Sequence, residues 1–157
     1  MRRSEKWFYK AQSGVKFKRK MYSILLRVIY SFDTPTTIKC GSGLELQHDG
    51  LGVVLHPDAV IGNNVTIYQN VTIGGNGKIV DGKIVNSGAP IIEDDCAIFA
   101  GARVLGPIRI GKGSYIGANA VVTKDVPEES MVVGHNIIKK REFEYNLGRK
   151  NVQKNKK

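Results

Sequence analysis

The chain of 157 residues carries 24 Lys and Arg against 14 Asp and Glu, a formal net charge of +10, and 41% of its residues are hydrophobic. This length fits a single domain, and the longest apolar run, residues 24–30, contains an arginine and is too short to span a membrane. No signal peptide is expected, because charges run through residues 1–20.

Residues 1–32 predict a short basic helical segment. Nine Lys and Arg accompany one acid, Glu5, in residues 1–30. The apolar residues that share one side of the predicted helix are Phe17, Met21, Ile24 and Val28. One interpretation is a cap over the open edge of the following domain; a compatible one is a helix lying on an anionic membrane surface. Nucleic-acid binding is not expected, since no recognised motif accompanies the charge.

The following segment begins a pattern of six-residue units. Residues 40–45 and 46–51 form two such units, which puts His48 on a flat face just before an irregular bend at residues 50–52. Cys40 and Cys96 fall on or near inward positions, so they are predicted to be small buried hydrophobes. Reduced thiols favour a cytoplasmic location.

Aliphatic residues then recur at every sixth position through most of the chain, and we call this series the aliphatic ruler. Counting in sixes from Leu55 gives Ile61, Ile67 and Ile73, and counting in sixes from Ile92 gives Ile98, Val104, Ile110, Ile116 and Val122. Neither a helix, with a period of about 3.6, nor a strand, with a period of 2, repeats in this way. The pattern predicts an all-β fold, a parallel β-helix with three flat faces and roughly 18 residues per coil.

The ruler is interrupted once and ends before the C-terminus. A loop at residues 75–89 separates Ile73 from the next ruler position, and a loop of that length is usually functional or disordered. We therefore divide the chain into a helical cap (1–32), a β-helix domain (33–138) and a basic tail (139–157).

The motifs at residues 33–48 and 71–77 resemble those of one enzyme family. Asp33, the run CGSGL at residues 40–44, His48 and the run VTIGGNG at residues 71–77 are similar to serine acetyltransferases and to related acetyltransferases of polysaccharide synthesis. The resemblance covers about residues 33 to 135. It implies a left-handed β-helix, a homotrimer, and acetyl-CoA as co-substrate in the groove between adjacent β-helices of the trimer.

The resemblance also implies a catalytic pair. His48 follows Asp33 by fifteen positions, the spacing of the catalytic histidine and its aspartate in that family. Imidazole, with an ordinary pKa near 6.5, is suited to take a proton from an attacking hydroxyl at neutral pH, and a carboxylate behind the ring would orient it. The alternative is a structural imidazole at a coil corner.

Further residues are carried over as cofactor contacts. The resemblance puts Gly74, Gly75 and Asn76 along the pantetheine arm and Ala100 and Ala118 further along the groove. The candidates for contact with the phosphates are Lys124, Lys139, Lys140 and Arg141; the alternative is a solvated basic tail. No metal site is expected, because the three histidines are too scattered to form a ligand cluster.

Two departures from the family bear on the acceptor. Gly88 and Ala89 stand where serine acetyltransferase has an Arg-His pair that contacts the carboxylate of serine, and Gln47 replaces an aspartate. The preferred prediction is therefore O-acetylation of a sugar in surface polysaccharide synthesis, with L-serine as the alternative acceptor. Two others stay open: a non-catalytic trimeric scaffold, and an N-acetyltransferase acting on a nucleotide sugar.

Overall fold

The structure, a computed structural model, describes residues 1–85 and 88–140 and consists of two helices followed by a three-sided coil of short strands. Helix α1 is Arg3–Gln12 and helix α2 is Lys16–Tyr30. Neither these nor any other helix within the described residues has both the length and the apolar character needed to cross a membrane.

Each complete circuit of the chain, which we also call a coil, contributes one strand to each of three parallel sheets. We call these sheets the first, second and third faces in chain order. The first face contains β1 (Lys39–Cys40), β4 (Val60–Ile61), β9 (Ile91–Ile92) and β12 (Arg109–Ile110). The second contains β2 (Glu45–Leu46), β5 (Thr66–Ile67), β10 (Ala97–Ile98), β13 (Tyr115–Ile116) and β15 (Ser130–Val133), with β16 (Ile137–Lys140) added antiparallel. The third contains β3 (Val54–Leu55), β6 (Thr72–Gly74), β11 (Arg103–Leu105) and β14 (Val121–Val122).

The aliphatic ruler is the core of this coil, as predicted. Ile92 pairs with Ile110, Ile98 with Ile116, and Val104 with Val122, so each partner lies eighteen positions further along the chain. All ten ruler residues from Leu55 to Val122 are buried. Each aliphatic side chain therefore stacks on its counterpart in the next coil, which is why the sequence has to repeat in sixes.

The interruption at residues 75–89 contains regular structure. Strands β7 (Lys78–Val80) and β8 (Lys83–Val85) form an antiparallel hairpin, and residues 86–87 lie outside the described part of the chain. The coil resumes in register after it, because Ile61 pairs with Ile92 on the first face. The insertion is thus an arm added at one corner of the coil.

The N-terminal helices cap the coil, but not through the side that the sequence predicted. The predicted apolar side of α2 is exposed, with Phe17 80% and Val28 75% accessible. The core is instead closed by Phe8 and Ala11 of α1, Leu26 of α2, and Phe32, which stacks on Phe8 with ring centroids 6.0 Å apart. Because helix α1 covers most of the end of the core, α2 contacts the core only through the side that carries Leu26, opposite to the predicted apolar side.

The end of the coil crosses the boundary that we drew from the sequence. Strand β16 pairs antiparallel with β15 and includes Lys139 and Lys140, so the boundary between residues 138 and 139 falls inside a strand. The remainder of the predicted tail, residues 141–157, lies outside the described residues.

Candidate active site

His48 lies in a widened corner of the first coil. Eight positions separate Leu46 from Val54 there, whereas five separate Ile67 from Thr72 in the next coil. The three additional positions accommodate a four-residue 3₁₀ turn, Gln47–Gly50, in which His48 and Asp49 have φ values of 51° and 56°. The prediction that His48 sits on a flat face is wrong, because a two-residue strand has no room for the extra positions, and His48 lies in this turn at the corner between the second and third faces.

The turn exposes the imidazole beside a column of aromatic rings. The His48 and Tyr68 ring centroids are 6.5 Å apart, Tyr68 stacks on Phe99 at 5.1 Å, and Phe99 meets Tyr115 edge-on at 6.2 Å. We did not anticipate this column from the sequence. Its signal is that Tyr68 and Phe99 each directly follow a ruler residue of the second face, Ile67 or Ile98, and so occupy the same corner of successive coils.

Helix α1 holds this turn in place. Ser4 Oγ donates a hydrogen bond to Asp49 Oδ1 (2.8 Å), and Arg2 Nη2 donates one to Gln47 Oε1 (2.7 Å). The buried Glu5 accepts the backbone N–H of Leu46 (3.1 Å), immediately before the turn. The N-terminal segment thus positions the candidate base as well as capping the core, a role that its composition alone did not indicate.

Asp33 is not paired with His48 in this structure. Its carboxylate accepts a hydrogen bond from the Arg27 guanidinium at the end of α2, and the two form an ion pair. Among residues 1–85 and 88–140, no hydrogen bond or ion pair joins Asp33 to His48. A guanidinium is always charged, whereas imidazole is charged only below its pKa, so Arg27 is the stronger partner for a carboxylate. The catalytic pair remains a prediction.

Asp33 nevertheless lies at the top of the third face. Its backbone bridges to Val54 of β3 in parallel, and its N–H donates to the Val53 carbonyl (2.8 Å). The 3₁₀ turn that carries His48 leads into the same strand. Asp33 is therefore joined to β3 by backbone pairing, and His48 is joined to it through the chain.

A groove of about 540 Å³ runs along the outside of the third face. Ala100 and Ala118, two of the predicted cofactor residues, line it at the corner where the chain enters this face. The remaining lining residues are Gly52, Val54, Asn70, Thr72, Gly101, Arg103 and Asn119, and His48 is not among them. Three residues separate His48 from Gly52, which lines the groove, so the turn that carries the histidine is connected to the groove through a short stretch of chain.

The other predicted cofactor residues lie along the opposite edge of the same face. Gly74 ends β6, and its carbonyl accepts the N–H of Gly106 (2.9 Å), while Gly75 and Asn76 follow it. A Cβ placed on Gly106 would lie 3.2 Å from Asn76 Nδ2, so the Asn76 side chain packs over that glycine. Lys124 is exposed two residues after β14. The structure thus divides the predicted contacts between the two edges of one face.

Arg103 is a cation in the groove that we did not predict. Its Nη1 atom donates to the carbonyl of Asn70 (2.6 Å) and to that of Gly101 (2.7 Å), which fixes the guanidinium against the groove wall. Arg103 follows the small residues 100–102 at an outward strand position, and a basic residue there is the signal that could have identified it.

The cysteines and the other histidines do not form a site. Cys96 is buried and Cys40 half-buried, and burial raises the pKa of each thiol to about 12. His56 Nδ1 accepts the backbone N–H of Asp58 (3.1 Å) at a coil corner. In the part of the chain that the structure describes, no three His, Cys, Asp or Glu side chains are grouped so as to hold a metal ion.

Comparison with known proteins relates the coil to acyl-transferring enzymes. Residues 89–124 match the family model "Bacterial transferase hexapeptide (six repeats)". The serine acetyltransferase of Bacillus licheniformis is 44% identical over 124 residues, which is 75% of this chain and 55% of that protein. The chain spans about half the length of the curated relatives that it matches.

Solved structures give the same relationship. A serine acetyltransferase in complex with CoA has 30% identity and a TM-score of 0.65, over 82% of this chain and 50% of that one. The Neisseria gonorrhoeae serine acetyltransferase in complex with serine has 33% identity and a TM-score of 0.68, over 83% and 51%. The fold is therefore the left-handed β-helix that the hexapeptide motif implied.

Proposed function

Because this chain is a hexapeptide-repeat β-helix that resembles serine acetyltransferases, we propose that it is an acetyl-CoA-dependent O-acetyltransferase with His48 as general base. The observation that carries the proposal is the widened corner at residues 47–50. In this turn the histidine of the family-like motif is exposed, separated by three residues from Gly52, which lines the groove on the third face.

In the proposed reaction, His48 removes the proton from the acceptor hydroxyl as its oxygen attacks the acetyl carbonyl. The new oxygen–carbon bond forms, the carbon–sulfur bond of the thioester breaks, and the proton passes from the imidazole to the departing thiolate. Neutral imidazole can accept and return a proton near neutral pH. Asp33 orients the ring only if its carboxylate turns from Arg27 to His48, so this role depends on a side-chain rearrangement.

The groove on the third face fits an extended cofactor that carries phosphates. Ala100 and Ala118 have side chains small enough to leave its floor open, and Arg103 provides a fixed cation on its wall. Guanidinium groups and lysines are the usual partners of phosphate oxygens, so Arg103 and Lys124 are the proposed phosphate contacts. Gly74, Gly75 and Asn76 would hold the pantetheine arm from the opposite edge.

We propose a homotrimer as the working form. The groove is open along its outer side, and the apolar side chains of Leu51 and Val54 are exposed beside it. A neighbouring subunit packed against the third face would bury these side chains and close the groove. A trimer predicts that the mass in sedimentation velocity is three times that of the chain.

L-serine is the proposed acceptor. The sequence placed a sugar first, but the relatives and solved structures are serine acetyltransferases, which favours the alternative. A sugar stays the second candidate because the Tyr68 ring beside His48 offers a stacking surface, and because Gly88 and Ala89 supply no cation for a carboxylate. Cys96 is buried and Cys40 half-buried as thiols, which is consistent with the reducing cytoplasm, where we propose that the protein is located.

The test is release of free thiol from acetyl-CoA with L-serine and with a panel of sugars and nucleotide sugars. We expect turnover with L-serine that falls by about 10² to 10⁴ in His48→Ala. His135→Ala is the matched control, since His135 is exposed outside the widened corner, and it should retain activity. Turnover with a sugar but not with L-serine would show that the acceptor is a sugar. If acetyl-CoA neither binds nor turns over, the non-catalytic scaffold would be the remaining interpretation.

A further inference from the structure

Helix α2 presents an apolar stripe that no described residue covers. Phe17, Met21, Ile24 and Val28 follow one another at intervals of four, three and four residues, so they line one side of the helix. Their side chains are exposed, with Phe17 80%, Ile24 52% and Val28 75% accessible. Four large apolar side chains in one line on a fifteen-residue helix are more than the isolated exposed residues normal for a surface.

The orientation of the stripe is fixed by contacts on the other side of the helix. Leu26 is fully buried in the core, and Ser23 Oγ donates to the Thr34 carbonyl (2.7 Å). Arg19 Nη2 donates to the Thr36 carbonyl on the same side. The helix cannot roll to bury Phe17 and Val28 without withdrawing Leu26 and breaking these hydrogen bonds.

Cations flank the stripe on both sides. At 100° per residue, Lys16 and Lys20 lie beside one edge and Lys18 lies beyond the other, and all three are exposed. The helix contains no acid. The one acid of residues 1–32, Glu5, is buried and accepts the N–H groups of Arg2 and Leu46. The exposed surface of both helices therefore carries positive charge alone.

We propose that α2 docks this chain on an anionic lipid surface, with the stripe inserted at the level of the headgroups and the lysines reaching lipid phosphates on either side. Such an arrangement, an apolar face bordered by lysines on a helix too short to span, is that of helices lying in the plane of a membrane interface. Anionic lipid attracts juxtaposed lysines. The helix is about 22 Å long and would lie flat along its whole length.

Charge makes a second copy of the chain a poor occupant. Two stripes packed face to face would bring Lys16, Lys18 and Lys20 of one copy against the same residues of the other, with no acid on either helix to neutralise them. A lipid surface supplies the missing negative charge. The proposal does not depend on the acceptor or on catalysis by His48, since none of these residues lines the groove.

The test is flotation of the full-length chain with vesicles of phosphatidylcholine alone and of phosphatidylcholine mixed with phosphatidylglycerol. We expect the protein to float with the anionic vesicles only. Phe17→Ser/Val28→Ser should weaken this binding on the order of tenfold or more, and Lys18→Gln/Lys20→Gln should weaken it and reduce its salt dependence. The control is Ile79→Ser/Ile137→Ser, which removes two exposed isoleucines elsewhere and should bind as the wild type does.

Three outcomes would overturn the proposal. Wild-type protein that stays at the bottom with anionic vesicles excludes the lipid surface. Equal binding by Phe17→Ser/Val28→Ser would mean adsorption of basic residues in general, without docking of α2. If the same variant instead lowers the mass in sedimentation velocity while vesicles bind neither protein, the stripe is an interface with another copy.

Discussion

Truncation of one ruler residue, Ile98→Ala, should destabilise the coil far more than truncation of an exposed isoleucine. Ile98 is fully buried at the centre of the second face, between Ile67 and Ile116 of the adjacent coils. The substitution removes three carbon atoms, each worth about 0.8 kcal/mol of transfer free energy when buried. It also leaves a cavity, because the coils are held at a fixed spacing by backbone hydrogen bonds and cannot collapse into it.

The two contributions together predict a loss of about 3 to 4 kcal/mol in the free energy of unfolding, within the usual range for a buried isoleucine. Ile98→Val, which removes one methyl group, should cost about 1 kcal/mol. The matched control is Ile24→Ala, because Ile24 is 52% exposed and its truncation should change stability by less than about 0.5 kcal/mol.

The assay is urea unfolding followed by circular dichroism, at one protein concentration for all variants, since assembly would make stability concentration-dependent. Comparable slopes with a lower midpoint would place the loss in the folded state. If Ile98→Ala lowers the free energy of unfolding no more than Ile24→Ala does, the assignment of the ruler residues to the core is refuted.

Three further predictions follow from the structure. Burial raises the pKa of the Cys40 and Cys96 thiols to about 12, so in the native protein both should react with a disulfide reagent at pH 8 about a thousandfold more slowly than free cysteine. Once guanidinium unfolds the chain, both thiols should react at the same rate. A fast phase in the native protein would contradict their burial. Hydrogen bonds from the backbone and side chain of Asn63 lower the pKa of the Asp94 carboxyl, so its contribution to stability is present above the unfolded value of about 3.9 and is lost as the pH falls through the lower folded value. In Asp94→Asn the free energy of unfolding should therefore fall less steeply as the pH is lowered into the acid range. An unchanged dependence on pH would argue against these hydrogen bonds. Ala118→Trp should fill the groove and weaken acetyl-CoA binding by about tenfold or more, measured calorimetrically, whereas Ala118→Gly should bind as the wild type does; equal binding by both would place the cofactor elsewhere.

The coil could be predicted from the sequence because its geometry repeats. A buried aliphatic residue is needed at every sixth position, so ten residues from Leu55 to Val122 report one structural rule, and every one of them is buried. The hand of the coil could not be obtained in this way, since either hand would bury the same positions. It came from the resemblance, and the solved structures support it.

The position of His48 could be predicted only in part. The motif identified the residue, but regular hexads placed it on a flat face, and the three additional residues of its corner become evident only when the registers of Leu46 and Val54 are compared with the next coil. The fifteen-residue spacing from Asp33 could not reveal that Arg27, six residues earlier in the chain, takes the carboxylate.

Helical periodicity identified the apolar stripe of α2 but not the direction in which it faces. A period of 3.6 residues shows that Phe17, Ile24 and Val28 share a side, whereas the choice of buried side depends on what else covers the core. Here Phe8 of α1 already occupies that space, so α2 needs to contribute only Leu26. This competition between two helices is a tertiary effect that the pattern of one helix does not contain.

The most direct test of the proposed function compares acetyl-CoA binding with turnover in the wild type and in His48→Ala. If His48 is the general base, the dissociation constant for acetyl-CoA should stay within about twofold, while turnover with the acceptor falls by about 10² to 10⁴. Unchanged turnover in His48→Ala, with acetyl-CoA still bound, would contradict the assignment of His48 as the base.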